Sequence, residues 1–391
     1  MEQDTNINST NEDIEIEIDN EDIPSEISSF NRNDVKTSPL PINLGQIIQA
    51  FQGKKIKLET EFQRLPNLWN NTKKSRFIES ILLNLPIPSF YFAEDKNNNW
   101  EIIDGLQRIS TLIHFTNGIT TESGTLPPFG LENLEFLKEF NGKFYQDLNF
   151  DIQFQITTYA INATLIDKRT PEIVKYQIFK RINQGGLVLT PQEIRHALNQ
   201  GKPADLVKEL VNKNNIYGKA FSKATSGGIG THRMEDRDFV TRFLSFYLIG
   251  YENYVPDLDS FMNLGMQEIK NLNQEKIDNL KKDFEKSMRI CFEIFDNDAF
   301  RKRLNINDRR KPINKSLFDS ISANVANFDE NQCLVLVQKK EIIKQKLMDL
   351  HNNPDGKFLR AITQGTAQKD LVLKRFSDIK NIFQQTLTGN D

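Results

Sequence analysis

The sequence predicts an α+β protein in which a small α/β domain is followed by a larger all-helical domain. Two short apolar runs that end in polar turns, at residues 89–93 and 100–103, predict strands lying between amphipathic helices. From Thr170 onward, apolar residues recur at helical spacing for the rest of the chain. The predicted divisions are an acidic tail over residues 1–38, the α/β domain over 39–169 and the helical domain over 170–391.

The charge is distributed unevenly along the chain. Residues 1–35 contain 11 acidic side chains and one arginine, whereas residues 36–391 contain 49 basic and 42 acidic side chains, a formal charge of +7. The first segment is poor in aromatic residues and is expected to be a disordered tail. Within it, residues 12–19 alternate acidic side chains with isoleucines. This stretch either solubilises the chain, adds as a strand to a sheet edge or shields a basic groove. The basic remainder permits contact with a polyanion such as DNA.

Several classes of protein are excluded by composition and motifs. Cys291 and Cys333 are too few for a disulfide framework, and four histidines with no cysteine pair at ligand spacing exclude a usual structural zinc site. The chain has no apolar run near 18 residues and no secretory leader pattern, so we expect a reduced, cytoplasmic, soluble protein that does not contact a membrane. The phosphate-loop and dinucleotide-binding glycine motifs are both missing from the sequence.

The first domain begins with alternating helices and strands. Asn84 and the rigid Leu85-Pro86-Ile87-Pro88 turn end its second helix. A polar loop joins its two clearest strands. The predicted elements are a helix at Pro41–Gln52, a strand at Lys55–Leu58, a helix at Lys73–Leu83, strands at Ser89–Ala93 and Trp100–Ile103, a helix at Leu106–Thr116, a loop-rich segment at 127–148 and one or two strands within Ile152–Ile166.

The turn between the strand at Trp100–Ile103 and the following helix is the most informative feature of this domain. Asp104-Gly105 breaks the strand, and Leu106 opens a helix whose apolar face excludes Gln107 and Arg108. A helix start offers backbone N–H groups and a positive dipole end, so a phosphate can bind there with Arg108 as a bidentate partner. The alternative is a solvated first turn in which the arginine pairs with a carboxylate.

The second domain is predicted to be helical throughout. Its first helix, Pro171–Ile182, is broken by the paired glycines of residues 183–186. Thr190-Pro191-Gln192-Glu193 is a capping box with proline at the first helical position, which predicts a helix start at that point. A glycine-rich loop at 223–238 follows. The further predicted helices are 239–249, 266–300, 314–328, 332–352 and 369–387.

Four segments of the chain together resemble one protein family. They are Phe62-Gln63-Arg64, residues 77–88, the stretch from Ile102 to Arg108, and residues 181–186 with Glu193-Ile194-Arg195. Their order and spacing resemble the N-terminal domain family of GmrSD-type restriction endonucleases, within the ParB and sulfiredoxin-like superfamily. The resemblance extends over about residues 41–385. It implies a ParB-like first domain and a role in binding or hydrolysing nucleoside triphosphates during defence against foreign or modified DNA.

The resemblance also nominates a set of site residues. It implies a nucleoside triphosphate and Mg²⁺ as ligands, with DNA, a separate His-Asn-His nuclease subunit and a second copy of the chain as further partners. Asp104, Gln107 and Arg108 are the expected catalytic residues, and no side chain is assigned as a direct metal ligand. The expected nucleotide-binding residues are Gln63, Arg64, Gly105, Arg108, Asn183, Gly185 and Gly186.

The sequence departs from the family pattern at two places. The family motif Asp-Gly-Gln-Gln-Arg has Leu106 in place of its first glutamine, and leucine cannot hydrogen-bond a phosphate or orient a water. Nucleotide binding with and without hydrolysis therefore both stay open. The nuclease domain of many relatives has one superficial counterpart, His351-Asn352-Asn353-Pro354, which is expected to be a turn after a helix. A DNA-binding or assembly subunit and a ParB-like nuclease are the alternative functions.

Overall fold

The computed structural model describes residue 16 and residues 34–56, 69–95, 97–121, 124–182 and 190–389. Contacts within the chain divide it into two compact units. We call the described residues from 34 to 198 the sheet unit, and the described residues 199–389, together with Ile16, the helical unit. The predicted fold class is confirmed: a small mixed sheet with helices is followed by a mostly helical region. Its ParB-like character and the predicted boundary at residue 169 stay predictions.

The sheet unit is built on a mixed four-stranded sheet. The sheet has the order β1-β6-β2-β3, with β2 and β6 parallel and the outer pairs antiparallel. The strands are β1 (Thr37–Asn43), β2 (Phe90–Glu94), β3 (Trp100–Asp104) and β6 (Ala160–Ile166), and a separate hairpin is formed by β4 (Ile119–Thr121) and β5 (Gly124–Leu126). The helices are α1 (Leu44–Gln52), α2 (Asn71–Leu82), α3 (Leu106–Asn117), α4 (Phe150–Thr158), α5 (Glu172–Ile182) and α6 (Pro191–Leu198).

Asparagine side chains start three of these helices. Asn43, Asn70 and Asn149 each accept a hydrogen bond from a backbone N–H three residues later, which satisfies a donor that a helix start leaves open. The predicted capping box of α6 is confirmed, because Thr190 N–H donates to Glu193 Oε2 at 2.7 Å and Glu193 N–H donates to Thr190 Oγ1 at 3.1 Å.

Two predictions for the sheet unit were wrong. Residues 41–43 belong to strand β1 and not to the first helix, which begins at Leu44. Residues 152–158 form the greater part of helix α4 and not a strand. The alternation of Ile152, Phe154 and Ile156 was misleading because Phe154 is 56% exposed, so these three residues do not mark one buried face. Two of the four residues of the strand predicted at Lys55–Leu58 lie outside the described residues, and Ile56 forms a parallel bridge with Trp100.

The helical unit consists of ten α-helices within residues 199–389, the part of the unit that is described throughout. Aromatic side chains fill much of its core, including edge-to-face contacts of Phe318 with Phe239 and of Phe243 with Phe284. The helices are α7 (Lys202–Val211), α8 (Ile216–Ala224), α9 (Glu235–Ile249), α10 (Leu258–Asn271), α11 (Gln274–Phe295), α12 (Lys315–Ala326), α13 (Glu330–Gln338), α14 (Lys340–His351), α15 (Lys357–Ala361) and α16 (Lys369–Thr388).

The predicted helices of this unit are largely confirmed, with corrected boundaries. The stretch 266–300 spans the end of α10 and all of α11, and 332–352 spans α13 and α14. Helix α9 begins at Glu235, within the stretch predicted as a loop, because three acidic side chains in its first turn suit a helix N-terminus. Among the described helices, none combines the length and the apolar character needed to cross a bilayer.

Both cysteines lie in the core of the helical unit. Cys291 and Cys333 are 0% exposed and unbonded to one another. Burial raises the pKa of each thiol above its usual value, because the thiolate would lose its solvation. Both thiols are therefore protonated and unreactive at neutral pH.

Candidate functional site

The predicted strand–turn–helix is confirmed at the end of β3. Gly105 has a φ of +105°, a conformation that L side chains rarely adopt. A Cβ atom at this position would lie 2.5 Å from Cδ1 of Phe90 on the neighbouring strand. Only glycine therefore allows α3 to start directly against the sheet.

The first turn of α3 has no side-chain cap. Gly105 is the N-cap residue, and it has no side chain that could accept a hydrogen bond from the N–H groups that follow. Helix starts of this kind bind anions, because several backbone N–H groups and the positive end of the helix dipole point the same way. The first turn of α3 therefore has the open N–H groups on which the predicted anion site depends, and anion binding there stays a prediction.

Arg108 is held beside this turn by groups of the protein. Its Nη2 donates to Asp104 Oδ2 at 2.8 Å and to the Ser89 carbonyl at 3.1 Å, and its Nη1 donates to the Pro88 carbonyl. The guanidinium also lies 4.4 Å from the centre of the Phe90 ring. Three of its five N–H bonds therefore have protein acceptors. Arg108 pairs with a carboxylate, as the alternative interpretation of the turn expected.

Burial and pairing act in opposite directions on the charge of Arg108. The residue is only 9% exposed, and burial lowers the pKa of its guanidinium, while the adjacent Asp104 carboxylate raises it. An arginine so placed remains a cation at neutral pH. The side chain of Asp104, in contrast, is 39% exposed, so its carboxylate can accept a further bond from a ligand or a hydrated cation.

The remaining motif residues contribute in different ways. Gln107 is half-buried, and its backbone carbonyl accepts hydrogen bonds from Ser110 and Thr111. Leu106 is 6% exposed and belongs to the apolar core of the sheet unit. The side chain at position 106 therefore points into the core.

The structure thus brings together Asp104, Gly105, Gln107 and Arg108. The other predicted site residues, Gln63, Arg64, Asn183, Gly185 and Gly186, lie outside the described residues, so their places stay predictions. Within the described ranges, no three histidine, cysteine, aspartate or glutamate side chains cluster in a way that could hold a metal ion directly.

His351, the histidine in the superficial nuclease-like motif, is the last residue of α14. It is 2% exposed, and its ring packs against Phe358 with 5.4 Å between ring centres. Burial lowers the pKa of this histidine to about 4. A neutral imidazole inside the core cannot reach a substrate.

Two charged clusters of the structure were not predicted from the sequence. In the sheet unit, Lys74 is buried beside His114 in the wall of a cavity. In the helical unit, Arg242 and Arg375 surround the buried Asp319. Each contact joins residues at least 40 positions apart, and no local motif marks them.

The fold and the turn together define a mixed-sheet domain whose central helix starts at an uncapped glycine beside an arginine–aspartate pair. Comparison with protein families gives this domain a more particular assignment. Residues 47–199 match the family model described as GmrSD restriction endonuclease, N-terminal domain. This match confirms the predicted family resemblance over this part of the chain. No curated protein and no solved structure matched the chain.

Proposed function

We propose that this protein acts in a DNA restriction system and that its sheet unit binds a nucleoside triphosphate at the first turn of α3. The family assignment supports the restriction context, because the matched domain takes its description from restriction endonucleases. The observation that carries the nucleotide site is the uncapped start of α3 at Gly105, beside the buried cation Arg108. Phosphate groups are among the anions that bind at helix starts.

Each described motif residue has a role in this proposal. Backbone N–H groups of the first turn of α3 bind phosphate oxygens, and Arg108 neutralises phosphate charge from the side of the sheet. Asp104 orients Arg108 and holds hydrated Mg²⁺ with its exposed oxygen. Gln107 contacts the nucleotide or a water. Gln63, Arg64, Asn183, Gly185 and Gly186 complete the site by resemblance to the family.

Hydrolysis of the bound nucleoside triphosphate is a separate part of the proposal. The side chain of Leu106 lies in the core. Leucine in place of the family glutamine therefore takes no hydrogen-bonding group away from the solvent-exposed side of the turn. A nucleotide-dependent switch needs differential binding in two states, which hydrolysis of the triphosphate would supply. Phosphate release under multiple-turnover conditions distinguishes an NTPase from a protein that only binds nucleotide.

Calorimetric titration with ATP, GTP and UTP in the presence of Mg²⁺ tests the nucleotide site. We expect binding by the wild-type protein and binding weaker by about tenfold or more for Arg108→Ala, because a charge-assisted bond is lost. Arg169→Ala is the matched control, since Arg169 is an exposed arginine of the same unit that pairs with Asp167. Equal, negligible binding by all three proteins would refute the proposal.

A second candidate function is a non-catalytic DNA-binding or assembly subunit that works with a separate His-Asn-His nuclease. A specific observation favours it: the helical unit has a concavity of about 530 Å³ lined by Lys213, Lys219, Lys223 and Arg310. Among the described residues that line it, none is a carboxylate. Basic concavities of this kind bind phosphate backbones through electrostatic attraction.

A gel mobility-shift titration of DNA at several salt concentrations tests this second function. Lys219→Glu with Lys223→Glu should weaken binding and lower the salt slope by about one per lost phosphate contact. Lys357→Glu with Lys369→Glu is the control, because it makes the same change in net charge at exposed positions of the helical unit. No binding by the wild-type protein at low salt would count against DNA binding.

A further inference from the structure

Lys74 is an unusual lysine because it is almost completely buried. It lies in the first turn of α2 and is only 3% exposed. Its Nζ lies 3.3 Å from His114 Nδ1 and 5.4 Å from the centre of the Phe129 ring. Among the described residues, no carboxylate oxygen lies within 4.0 Å of this ammonium group. Burying a cation without a counter-charge is costly, so its position calls for an explanation.

His114, the neighbour of Lys74, does not provide the negative charge that would balance the lysine. His114 Nε2 lies 2.9 Å from the Pro127 carbonyl, which can only accept, so Nε2 carries the proton. The other ring nitrogen, Nδ1, therefore accepts a hydrogen bond from Lys74. Burial lowers the pKa of His114, and the charge of Lys74 lowers it further. His114 is thus neutral and uses one of the three N–H groups of Lys74.

Lys74 and His114, together with Asn71 at the rim, form the polar part of a cavity in the sheet unit. The cavity has a volume of about 430 Å³ and is open to solvent. Its remaining wall is mostly apolar and includes Phe129 and Phe144. Phe144 is 39% exposed, so solvent reaches this wall. The cavity therefore joins one buried positive charge to an accessible aromatic surface.

We propose that this cavity binds a small organic anion whose carboxylate or phosphate group pairs with Lys74. The apolar part of the ligand lies against the rings of Phe129 and Phe144, and the anionic group supplies the counter-charge that Lys74 lacks. This site is distinct from the first turn of α3. His114 lies eight residues after Leu106 on the same helix, a distance of about 12 Å along its axis.

Calorimetric titration of the full chain with three matched probes tests the proposal. Benzoate and phenyl phosphate carry the two anionic groups, and benzamide is the neutral analogue of benzoate. We expect one or both anions to bind wild-type protein, and benzamide to bind about tenfold more weakly or not at all. The better of the two anions identifies the anionic group. Failure of both anions to bind at millimolar concentration, or equal binding of benzoate and benzamide, would overturn the proposal.

Two lysine variants locate the binding site. Lys74→Met removes the charge and keeps most of the side-chain volume, and it should lose the anion binding. Lys73→Met is the control, because Lys73 is an exposed neighbour in the same helix. Lys74→Met should melt close to the temperature of the wild type, since removal of a buried charge and loss of the hydrogen bond to His114 act in opposite directions. Unchanged anion binding by Lys74→Met would overturn the assignment, and the comparison of probes on wild-type protein does not depend on this variant.

ATP competition separates this inference from the proposed nucleotide function. If the two sites are distinct, saturating ATP with Mg²⁺ leaves the benzoate or phenyl phosphate affinity of wild-type protein within about twofold. Displacement of the anion by ATP would overturn the assignment of a separate site. Anion binding in a protein that binds no nucleotide would refute the proposed function and leave this inference standing.

Discussion

Two arginine–aspartate pairs, one in each unit, have the same closest distance but different surroundings. In the sheet unit, Arg108 Nη2 lies 2.8 Å from Asp104 Oδ2, and the side chain of Asp104 is 39% exposed. In the helical unit, Arg242 Nη2 lies 2.8 Å from Asp319 Oδ2, and both side chains are at most 2% exposed. The two pairs differ in how many hydrogen bonds and ion pairs with protein groups the aspartate carboxylate makes.

Arginine side chains contact both carboxylate oxygens of Asp319. Both of its oxygens accept from Arg242, and Oδ2 also lies 3.6 Å from Nη2 of Arg375. Arg375 donates in addition to the carbonyls of Ala361 and Thr366, so the end of α15 helps to balance the second positive charge. This cluster joins α9, α12 and α16 in the interior. The cluster has a structural role. The carboxylate of Asp104, in contrast, is partly exposed and can accept a further hydrogen bond from a ligand.

Replacement of the buried carboxylate should have the largest effect. Asp319→Asn leaves two buried arginines without a counter-charge and should lower the free energy of unfolding by about 3–5 kcal/mol. Urea denaturation followed by far-UV circular dichroism measures the change, because most helices belong to the helical unit. Asp349→Asn, at an exposed position of α14, is the control. A loss below about 1 kcal/mol would contradict the structural role of Asp319.

Acid should destabilise the helical unit through a second buried group, His351. Its pKa is lowered to about 4 in the folded protein, so between pH 6.5 and 4 the unfolded chain binds more protons than the folded one. The stability that His351 contributes is therefore present above pH 6.5 and falls by about 3 kcal/mol as the pH drops to 4. His351→Leu should lack this part of the pH dependence. Parallel pH profiles of wild type and variant would contradict the prediction.

Loss of the arginine in the sheet unit should have an intermediate effect. Arg108→Met leaves the carbonyls of residues 88 and 89 without a donor and should cost about 2 kcal/mol. Tryptophan fluorescence measures this unit alone, since both tryptophans, Trp69 and Trp100, lie within it. Arg169→Met should leave the stability almost unchanged, because its ion pair is exposed and screened by solvent. A cost for Arg108→Met as small as that of the control would contradict the prediction.

The smallest stability change is expected for Asp104→Asn. Its carboxylate is half-exposed and accepts one bond from Arg108, so the loss should stay below about 1 kcal/mol. Nucleotide affinity with Mg²⁺ should fall much more than stability does. A stability loss of about 3 kcal/mol with unchanged nucleotide binding would show that this pair is structural, like the pair in the helical unit.

The parts of the fold predicted from the sequence were those with strong local causes. The Asp104-Gly105 break and the capping box at Thr190 are determined by a few neighbouring residues, and both were confirmed. The strand β1 was missed because its two prolines suggest a helix start. Proline is tolerated there because, among the described strands, β1 lies at the edge of the sheet and pairs with β6 alone.

The site was predictable only where its residues are close in sequence. Asp104 and Arg108 face each other because they are four residues apart across one turn. Lys74 belongs to a polar Asn-Thr-Lys-Lys-Ser stretch that has the composition of a surface, and its partner His114 is 40 residues away. Only the packing of α2 against α3 shows that this lysine is inside. Contacts of this kind depend on tertiary structure and leave no local pattern.

The burial of both cysteines allows fluorescent dyes to be attached selectively at engineered surface thiols. Because Cys291 and Cys333 are enclosed and remain protonated, an alkylating dye should react with them far more slowly than with an engineered surface thiol. One cysteine placed in each unit would therefore accept a donor and an acceptor fluorophore without removal of the native thiols. Energy transfer between the dyes would then report whether added nucleotide changes the spacing of the units in solution.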